Sequence, residues 1–349
     1  MPPPPTPRSR SRSLARALAV SVSVALGLLA AEFVFRAHLR SEYASALAAW
    51  TNDLYRLLPP GRYYGCLPNL AYQATIPQET GPLRLTYHTD ADGWRIQPRA
   101  TATPQTRRVL CLGDSYTFGL AVADDQTYPC HLQGLLRARG LDVEVFNRGV
   151  PGYNTVQEHD TLIEVFDTVS PHVVLLGYVM NDAEPVMTVP LSPDLRFEDC
   201  RSWLLEVVRP KINAVARWLV ADQPLCSARQ AELVLDYRES FAPNSRKWRR
   251  SRDALSAIHA FLRVRGVPLL VFIQPAFTER FDDTYRFFLL HERVAEWGER
   301  GGYPTFDLLP LFWGEQRADL WVEGDGHPGG AAQRRMAVAM ADQVEPLLR

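Results

Sequence analysis

Two short stretches of this chain carry the residue types of nucleophilic catalysis. Gly113, Asp114 and Ser115 follow an apolar run, and a loop near the carboxyl end brings Asp325 within two residues of His327. A serine hydroxyl is a poor nucleophile until a base removes its proton, and histidine is suited to that task near neutral pH. An acid on the second ring nitrogen fixes the tautomer and stabilises the imidazolium. Together they predict acyl transfer with Ser115 as nucleophile, His327 as base and Asp325 as orienting acid.

Two further segments could supply the hydrogen-bond donors that this reaction needs. The oxyanion that develops during attack on an ester requires preorganised N–H groups. The candidates are the backbone amides of Ser115 and Gly152 and the side chain of Asn181, which Asp182 follows directly. Taken singly, each of these segments, and the Gly-Asp-Ser segment as well, is better explained by an ordinary turn. Their value therefore depends on whether the fold brings them together.

Apolar strands and amphipathic helices alternate along the chain from Arg107 onward. The predicted strands are Val109–Leu112, Val143–Phe146, Val173–Tyr178, Pro268–Ile273 and Thr305–Asp307. The predicted helices are residues 128–139, 155–169, 244–265, 283–300 and 331–344. This alternation predicts a three-layer α/β/α domain with a mainly parallel, five-stranded sheet. Such sheets bind ligands at the carboxyl ends of their strands, which is where the candidate segments would meet.

Capping residues set the expected starts of the first two helices. Thr127 can cap the first, and Thr155 with Glu158 makes a capping box for the second. Nearer the amino terminus, residues 41–58 are predicted to be helical, and Leu83–His88 is a β-like segment.

Bulk composition excludes several classes of function. A net charge of −1 and an ordinary aromatic content give no basic surface of the kind that binds nucleic acid. The five cysteines form no Cys-x-x-Cys pair and no cysteine–histidine metal spacing, so we expect no metal or organic cofactor. Cys111 is predicted to be buried in its strand, whereas Cys200 and Cys226 could pair in an oxidising compartment. The histidines other than His327 are predicted to be surface or packing residues.

The first 35 residues have the composition of a targeting segment. Residues 1–16 are rich in proline, serine and arginine and are predicted to be a disordered cytoplasmic tail. Residues 17–35 are almost wholly apolar, with Glu32 their only charge, and suit a bilayer span of about 20 residues. The arginines before them favour a cytoplasmic amino terminus and an extracytoplasmic catalytic domain, periplasmic in a Gram-negative cell. An uncleaved single-pass signal anchor is favoured; a cleaved signal peptide and a buried core helix are the alternatives.

The remaining chain divides into a linker and a catalytic domain. Residues 36–106 are predicted to be a helical and β-like linker without catalytic residues. Residues 107–349 form the predicted domain. Within it, residues 183–244 interrupt the strand–helix alternation with several prolines, which indicates an insertion or a lid.

The candidate segments, in this order, resemble the sequence blocks of the SGNH, or GDSL-type, serine hydrolase superfamily. The serine, glycine, asparagine and acid–histidine blocks match residues 113–115, 147–152, 181–182 and 325–328. The resemblance spans residues 107–349 and implies a flavodoxin-like three-layer fold with esterase or acyltransferase activity.

Two positions depart from the pattern of that superfamily. Its asparagine block is often Gly-x-Asn-Asp, but here Val179 stands two residues before Asn181. Its acid often lies three residues before the histidine, where this chain has Gly324. Asp325 is one residue closer, and Glu323 is the alternative acid.

Residues and resemblance together predict a membrane-anchored serine esterase that acts on O-acyl esters, above all O-acetyl esters of carbohydrates. An acyl-serine intermediate would form on Ser115. The predicted site comprises a triad (Ser115, His327, Asp325), an oxyanion hole (Ser115, Gly152, Asn181) and supporting residues (Gly113, Asp114, Asp182). The expected partners are the ester substrate and, through the amino-terminal helix, the membrane. The alternatives are an O-acyltransferase that modifies an extracytoplasmic glycan, and a non-catalytic glycan-binding or assembly module of the same fold.

Overall fold

The computed structural model describes residues 16, 18–34, 54–58, 62, 64–98, 103–184, 237–315, 320–323 and 325–349. Most of the predicted insertion over residues 183–244, together with Cys200 and Cys226, lies outside the described residues. So does most of the helix predicted over residues 41–58.

Five parallel strands form a central sheet in the order β6–β5–β7–β8–β9. Their bounds are β5 (Arg107–Gly113), β6 (Val143–Gly149), β7 (Val173–Tyr178), β8 (Leu269–Ile273) and β9 (Thr305–Asp307). Every residue of β7 and β8 is buried, as expected for strands covered on both faces. The first strand of this sheet, β5, has β6 on one side, and β7, β8 and β9 follow in order on its other side. This is the strand order of flavodoxin-like folds. The predicted α/β fold with a five-stranded parallel sheet is confirmed.

Helices cover the sheet in two groups. Their bounds are α2 (Ser115–Phe118), α3 (Tyr128–Ala138), α4 (Thr155–Val169), α5 (Arg246–Arg263), α6 (Phe288–Gly301) and α7 (Gly330–Leu348). Helix α3 packs against α7, whereas α4 packs against α5, and α5 contacts α6. Right-handed crossovers place the two groups on opposite faces of the sheet.

The start of α4 differs from the capping box predicted for it. Asn154, not Thr155, is the N-cap, and its side chain accepts from the backbone N–H groups of Val156 and Gln157. Gln157, not Glu158, completes the capping box. The Thr155 hydroxyl instead points into the interior, where it donates to the buried Asp182 carboxylate at 2.8 Å, so it does not cap the helix.

Helix α6 begins at Phe288, five residues later than the predicted start at Asp283. Residues 283–287 form turns because Tyr285 enters the interior, where its hydroxyl accepts from the Ala276 backbone N–H at 3.0 Å. A regular helix over these residues would not bring that hydroxyl to the Ala276 N–H, which lies just after the end of β8.

Two antiparallel strand pairs precede the sheet. Strand β1 (Tyr55–Leu57) pairs with β2 (Tyr64–Cys66), and β3 (Ala71–Ile76) pairs with β4 (Leu83–His88). The helix predicted over residues 41–58 is therefore wrong at its carboxyl end. Tyr55–Leu57 instead pairs its backbone groups with those of Tyr64–Cys66.

Residues 18–34 form helix α1, which belongs to a unit of the chain separate from the one that holds the sheet. Its apolar side chains are exposed, Phe33 to 74% and Leu29 to 65%. Within the part of the chain that the structure describes, no helix combines the length and the hydropathy needed to cross a membrane.

Candidate active site

Ser115 is the first residue of α2, immediately after strand β5. The Asp114 carboxylate caps this short helix by accepting from the Tyr116 backbone N–H at 2.9 Å, and Gly119 ends it in the left-handed conformation. The strand fixes the backbone on one side and the cap fixes it on the other. Ser115 is consequently held at the carboxyl edge of the sheet, with 8% of its surface exposed.

A row of three glycines lets α2 lie directly on the edge of the sheet. Gly113 is paired in register with Gly149 on one side and with Gly177 on the other. A Cβ on Gly113 would come within 2.0 Å of Thr117 Oγ1, and a Cβ on Gly149 within 2.3 Å of the Phe118 nitrogen. Side chains here would push the serine-bearing helix off the sheet. The sequence singled out Gly113 but gave Gly177 no role.

Two buried amide side chains hold α2 from opposite sides. Asn147, at the end of β6, donates to the Thr117 carbonyl at 2.8 Å. Gln333, on α7, donates to the Tyr116 carbonyl at 3.1 Å and accepts from the Tyr128 backbone N–H. Sequence reasoning missed Gln333, because a glutamine inside a terminal helix carries no signal that it reaches an element more than 200 residues away.

The loop before α7 brings a histidine and an aspartate to this serine. His327 Nε2 lies 2.8 Å from Ser115 Oγ, and His327 Nδ1 forms a short hydrogen bond with Asp325 Oδ1. The loop folds back on itself, since the Val322 backbone N–H donates to the His327 carbonyl at 2.8 Å and Gly326 has φ +91°. Asp325, rather than Glu323, is thus the acid that contacts the imidazole.

The hydrogen bonds in this group orient the imidazole so that Nε2 faces the serine hydroxyl. Burial raises the pKa of Asp325, but its hydrogen bonds with His327 and the charge of that histidine outweigh burial, so the pKa lies below its ordinary value. An ionised Asp325 holds the imidazole proton on Nδ1, which leaves Nε2 as an acceptor. Ser115 Oγ also lies 3.1 Å from Asp114 Oδ2, yet the imidazole nitrogen is the nearer acceptor for its single proton.

Asp114 connects the serine to the asparagine segment. It is 1% exposed and accepts from the Asn181 side-chain amide at 3.2 Å. Burial raises the pKa of Asp114, although hydrogen bonds from Tyr116, Asn181 and Ser115 and the charge of His327 act in the opposite direction. Asn181 therefore reaches the serine-bearing turn, with one amide N–H used by Asp114.

Two of the predicted site residues lie beside this group rather than within it. Gly152 lies in the turn after β6 with φ +82°, and that turn starts beside Gly113, whose carbonyl accepts from the Val150 N–H at 3.1 Å. Asp182 is buried behind Asn181, where it accepts from the Val179 N–H at 2.6 Å. It shapes the Met180–Ala183 turn that presents the asparagine.

Segments outside the predicted site border it. The Tyr116 ring meets the His327 ring edge-on, with 5.4 Å between centroids, and Phe277 lies against Tyr116. The β3–β4 hairpin reaches the histidine loop, because Ile76 packs with Val322. The linker predicted to lack catalytic residues therefore contributes a wall to this region.

The arrangement is competent for nucleophilic acyl substitution. A hydroxyl in contact with an imidazole that a carboxylate orients is the arrangement by which proteins make serine a nucleophile. The sheet edge, the short helix and the histidine loop bring these groups together from positions 212 residues apart in the chain.

A family model for the GDSL-like lipase/acylhydrolase family matches residues 111–335, which is more than half of the 349-residue chain. Among curated proteins, none is significantly similar to this chain. TesA is 17% identical, with a TM-score of 0.44 over 69% of this chain and 99% of its own. The acetyl xylan esterase AlAXEase is 14% identical, with a TM-score of 0.42 over 68% and 99%. The esterase EstA from Pseudoalteromonas sp. is 16% identical, with a TM-score of 0.39 over 69% and 98%.

The family match agrees with the resemblance deduced from the four sequence segments. It starts within β5 and ends within α7, so it includes the serine-bearing turn and the histidine loop. The chain belongs to the GDSL-like lipase/acylhydrolase family of the SGNH superfamily and is an ester-cleaving hydrolase.

Proposed function

We propose that this protein is a serine esterase in which Ser115, His327 and Asp325 form the catalytic triad. The observation that carries the proposal is the unbroken chain of contacts from Asp325 to His327 Nδ1 and from His327 Nε2 to Ser115 Oγ.

The proposed reaction proceeds through an acyl-serine. His327 Nε2 takes the proton of the Ser115 hydroxyl as Oγ attacks the ester carbonyl carbon. The tetrahedral intermediate collapses, its bond to the alkoxide oxygen breaks, and His327 gives its proton to the departing alcohol. Water then attacks the acyl carbon while His327 removes one of its protons. The bond between that carbon and Ser115 Oγ breaks, His327 returns the proton to Oγ, and the acyl group leaves as the free acid.

The oxyanion donors we propose are the backbone amides of Ser115 and Gly152 and the second amide N–H of Asn181. The contact between Asn181 and Asp114 supports this assignment, because it fixes the amide plane while leaving one N–H to donate. The loss of one such donor lowers kcat by about 10²- to 10³-fold in comparable sites.

The substrate we propose is an O-acyl ester of a carbohydrate, with acetyl as the acyl group. Its support is the resemblance to superfamily members that add or remove O-acetyl groups on extracytoplasmic glycans, combined with the apolar amino-terminal segment.

We also propose that residues 17–35 anchor the catalytic domain outside the cytoplasm. The support is the apolar run itself, its arginine flank and the exposed apolar side chains of α1. Full-length protein expressed in bacteria should stay with the membrane in alkaline carbonate, and added protease should digest the catalytic domain only after the outer membrane is opened. Release of the protein by carbonate would contradict the anchor. Resistance of the catalytic domain to protease after the outer membrane is opened would contradict its place outside the cytoplasm.

The activity test compares wild type with Ser115→Ala on a short-chain aryl ester and on acetylated oligosaccharides. The wild type should release acetate from both, and the variant should lose at least about 10⁴-fold in kcat/KM. Full activity of the variant would overturn the proposal. Adding an unacetylated oligosaccharide with an acyl donor separates the alternatives: acetate release identifies an esterase, whereas acetylated sugar identifies a transferase.

A further inference from the structure

Glu158 is a buried acid to which the proposed mechanism assigns no role. It lies in the first turn of α4 and is 1% exposed. Neither of its carboxylate oxygens accepts a hydrogen bond from any donor that the described part of the chain supplies. An ionised carboxylate without donors in such a site carries a large desolvation cost.

The group that Glu158 meets is another carboxyl group. Glu158 lies one turn of α4 after Thr155, whose hydroxyl donates to Asp182 at 2.8 Å, and the two carboxyl groups act on each other. The oxygens of Asp182 already accept from the Val179 backbone N–H at 2.6 Å and from the Thr155 hydroxyl at 2.8 Å. Two ionised carboxylates cannot hydrogen-bond to each other, so a hydrogen bond between them requires a proton on one of them.

The surroundings supply no opposite charge to replace that proton. Among the described residues, the ionisable groups that act on Glu158 are Asp182 and Asp114, both acids. The other groups that its charge affects are the phenols of Tyr128 and Tyr178. Burial first, and then the negative charge of Asp114, raises the pKa of Asp182 to about 8, and burial and Asp182 likewise raise the pKa of Glu158.

We propose that Glu158 stays protonated and donates to Asp182, and that this hydrogen-bonded pair is a positioning device for the Met180–Ala183 turn and hence for Asn181. Asp182 holds the turn through Val179, and Glu158 donates to Asp182 from the opposite side. Loss of the proton from Glu158 puts two repelling carboxylates behind Asn181. It also adds a negative charge close to the place where an oxyanion must form. The activity part of this inference rests on the proposed function, whereas its stability part does not.

The sign of the stability effect follows from the raised pKa. The unfolded chain loses both protons near pH 4, whereas folding raises both pKa values, that of Asp182 to about 8. The pair's contribution to stability is therefore fully present at acid pH and declines as pH rises between those values. The decline is up to tenfold per pH unit in the folding equilibrium constant for each of the two groups, and it stops once the folded pair has ionised.

The test uses Glu158→Gln, whose amide donates to Asp182 without titrating. Urea unfolding and kcat/KM on an aryl ester are measured from pH 5 to pH 9.5. Asp167→Asn is the matched control, because Asp167 is an exposed acid on the same helix. If Glu158→Gln does not fold, the second variant is Asp182→Asn. It keeps an acceptor for the Val179 N–H and neutralises the pair from the other side.

We expect wild type and Asp167→Asn to lose stability between pH 5 and pH 8, and to lose roughly tenfold or more in kcat/KM between pH 7 and pH 9.5. Glu158→Gln should lose stability less steeply, because only Asp182 still titrates, and should not show the alkaline loss of activity. An unchanged stability slope in Glu158→Gln would show that the pair does not hold a proton. A flattened stability slope with an unchanged alkaline loss of activity would show that the proton does not act on the site. Either result overturns the proposal, and neither depends on which residue is the nucleophile.

Discussion

Among the residues that the structure describes, two histidine–aspartate pairs share one hydrogen-bond pattern. In the first, His327 binds Asp325 through Nδ1 and lies 2.8 Å from the Ser115 hydroxyl through Nε2. In the second, His291 binds an aspartate through Nδ1 and lies 2.9 Å from the Tyr285 hydroxyl through Nε2. By donor and acceptor alone, the two are indistinguishable.

Their surroundings separate them. The His327 side chain is 22% exposed, whereas that of His291 is 2% exposed. The Tyr285 hydroxyl is already engaged by the Ala276 N–H at 3.0 Å, and burial raises the pKa of that phenol. Its aspartate partner, Asp307, also accepts from a backbone N–H, that of Leu309. The second pair therefore joins α6, β9 and a loop, and it offers no substrate a nucleophile.

The comparison shows that a hydroxyl–imidazole–carboxylate arrangement becomes a candidate for catalysis through its location. Ser115 stands at the end of β5, where a parallel sheet presents side chains to ligands. His291 instead holds residues 274–287, whose Phe277 packs against Tyr116 beside the site. One pair is placed to react, and the other keeps a wall of the site in position.

The largest difference should appear when each histidine is removed. We expect His327→Ala to lower kcat/KM on an aryl ester by at least about 10⁴-fold with little change in urea stability. His291→Ala should keep activity within about tenfold and lose about 2–4 kcal/mol of stability, because a buried side chain is removed and both the buried Tyr285 hydroxyl and Asp307 lose a bond. Equal losses of activity in the two variants, with both folded by circular dichroism, would refute the distinction.

A smaller difference should separate the two aspartates. Asp325→Asn should lower kcat by about 10³- to 10⁴-fold, because the asparagine permits the wrong imidazole tautomer. Asp307→Asn should change kcat by less than about tenfold and stability by about 1–2 kcal/mol. Steady-state kinetics and urea unfolding at pH 7 measure both. A catalytic role for Asp325 is excluded if its variant keeps wild-type kcat.

The smallest effect belongs to the hydroxyl of the second pair. Tyr285→Phe should cost about 1–3 kcal/mol in urea unfolding, since the Ala276 N–H and the His291 ring lose a buried partner. It should leave kcat within a few fold. Tyr303→Phe, at another tyrosine, is the control. A loss of more than about a hundredfold in kcat, with the fold intact, would assign chemistry to the second pair.

Much of the architecture could be predicted because it depends on local patterns. A continuous apolar run predicted Val173–Tyr178, and the strand–helix alternation predicted Thr305–Asp307, both with the bounds that the structure has. Thr127 caps α3 as expected. The start of α4 could not be predicted in this way. Asn154 and Thr155 are both good caps, and the choice depends on Asp182, which takes the threonine hydroxyl from another part of the chain.

The candidate site shows the same division. Ser115, Asp325 and His327 carry chemistry in their residue types, so the sequence identified them before any contact was known. Gln333 was given no role and Glu158 only that of a capping residue, because a helical glutamine or glutamate is ordinarily a solvent-exposed residue. Only the packed fold places one beneath α2 and the other against a second carboxyl group.

The central claim is that Ser115 is the residue that the first histidine–aspartate pair activates. Wild type, Ser115→Ala and His327→Ala are incubated with a serine-reactive phosphonate, and the modified peptide is identified by mass spectrometry. We predict one phosphonate per molecule, on Ser115, with activity lost in proportion to labelling, no label in Ser115→Ala and labelling slowed at least about 10³-fold in His327→Ala. Stoichiometric labelling of any other residue, or undiminished labelling of Ser115→Ala, would contradict the account.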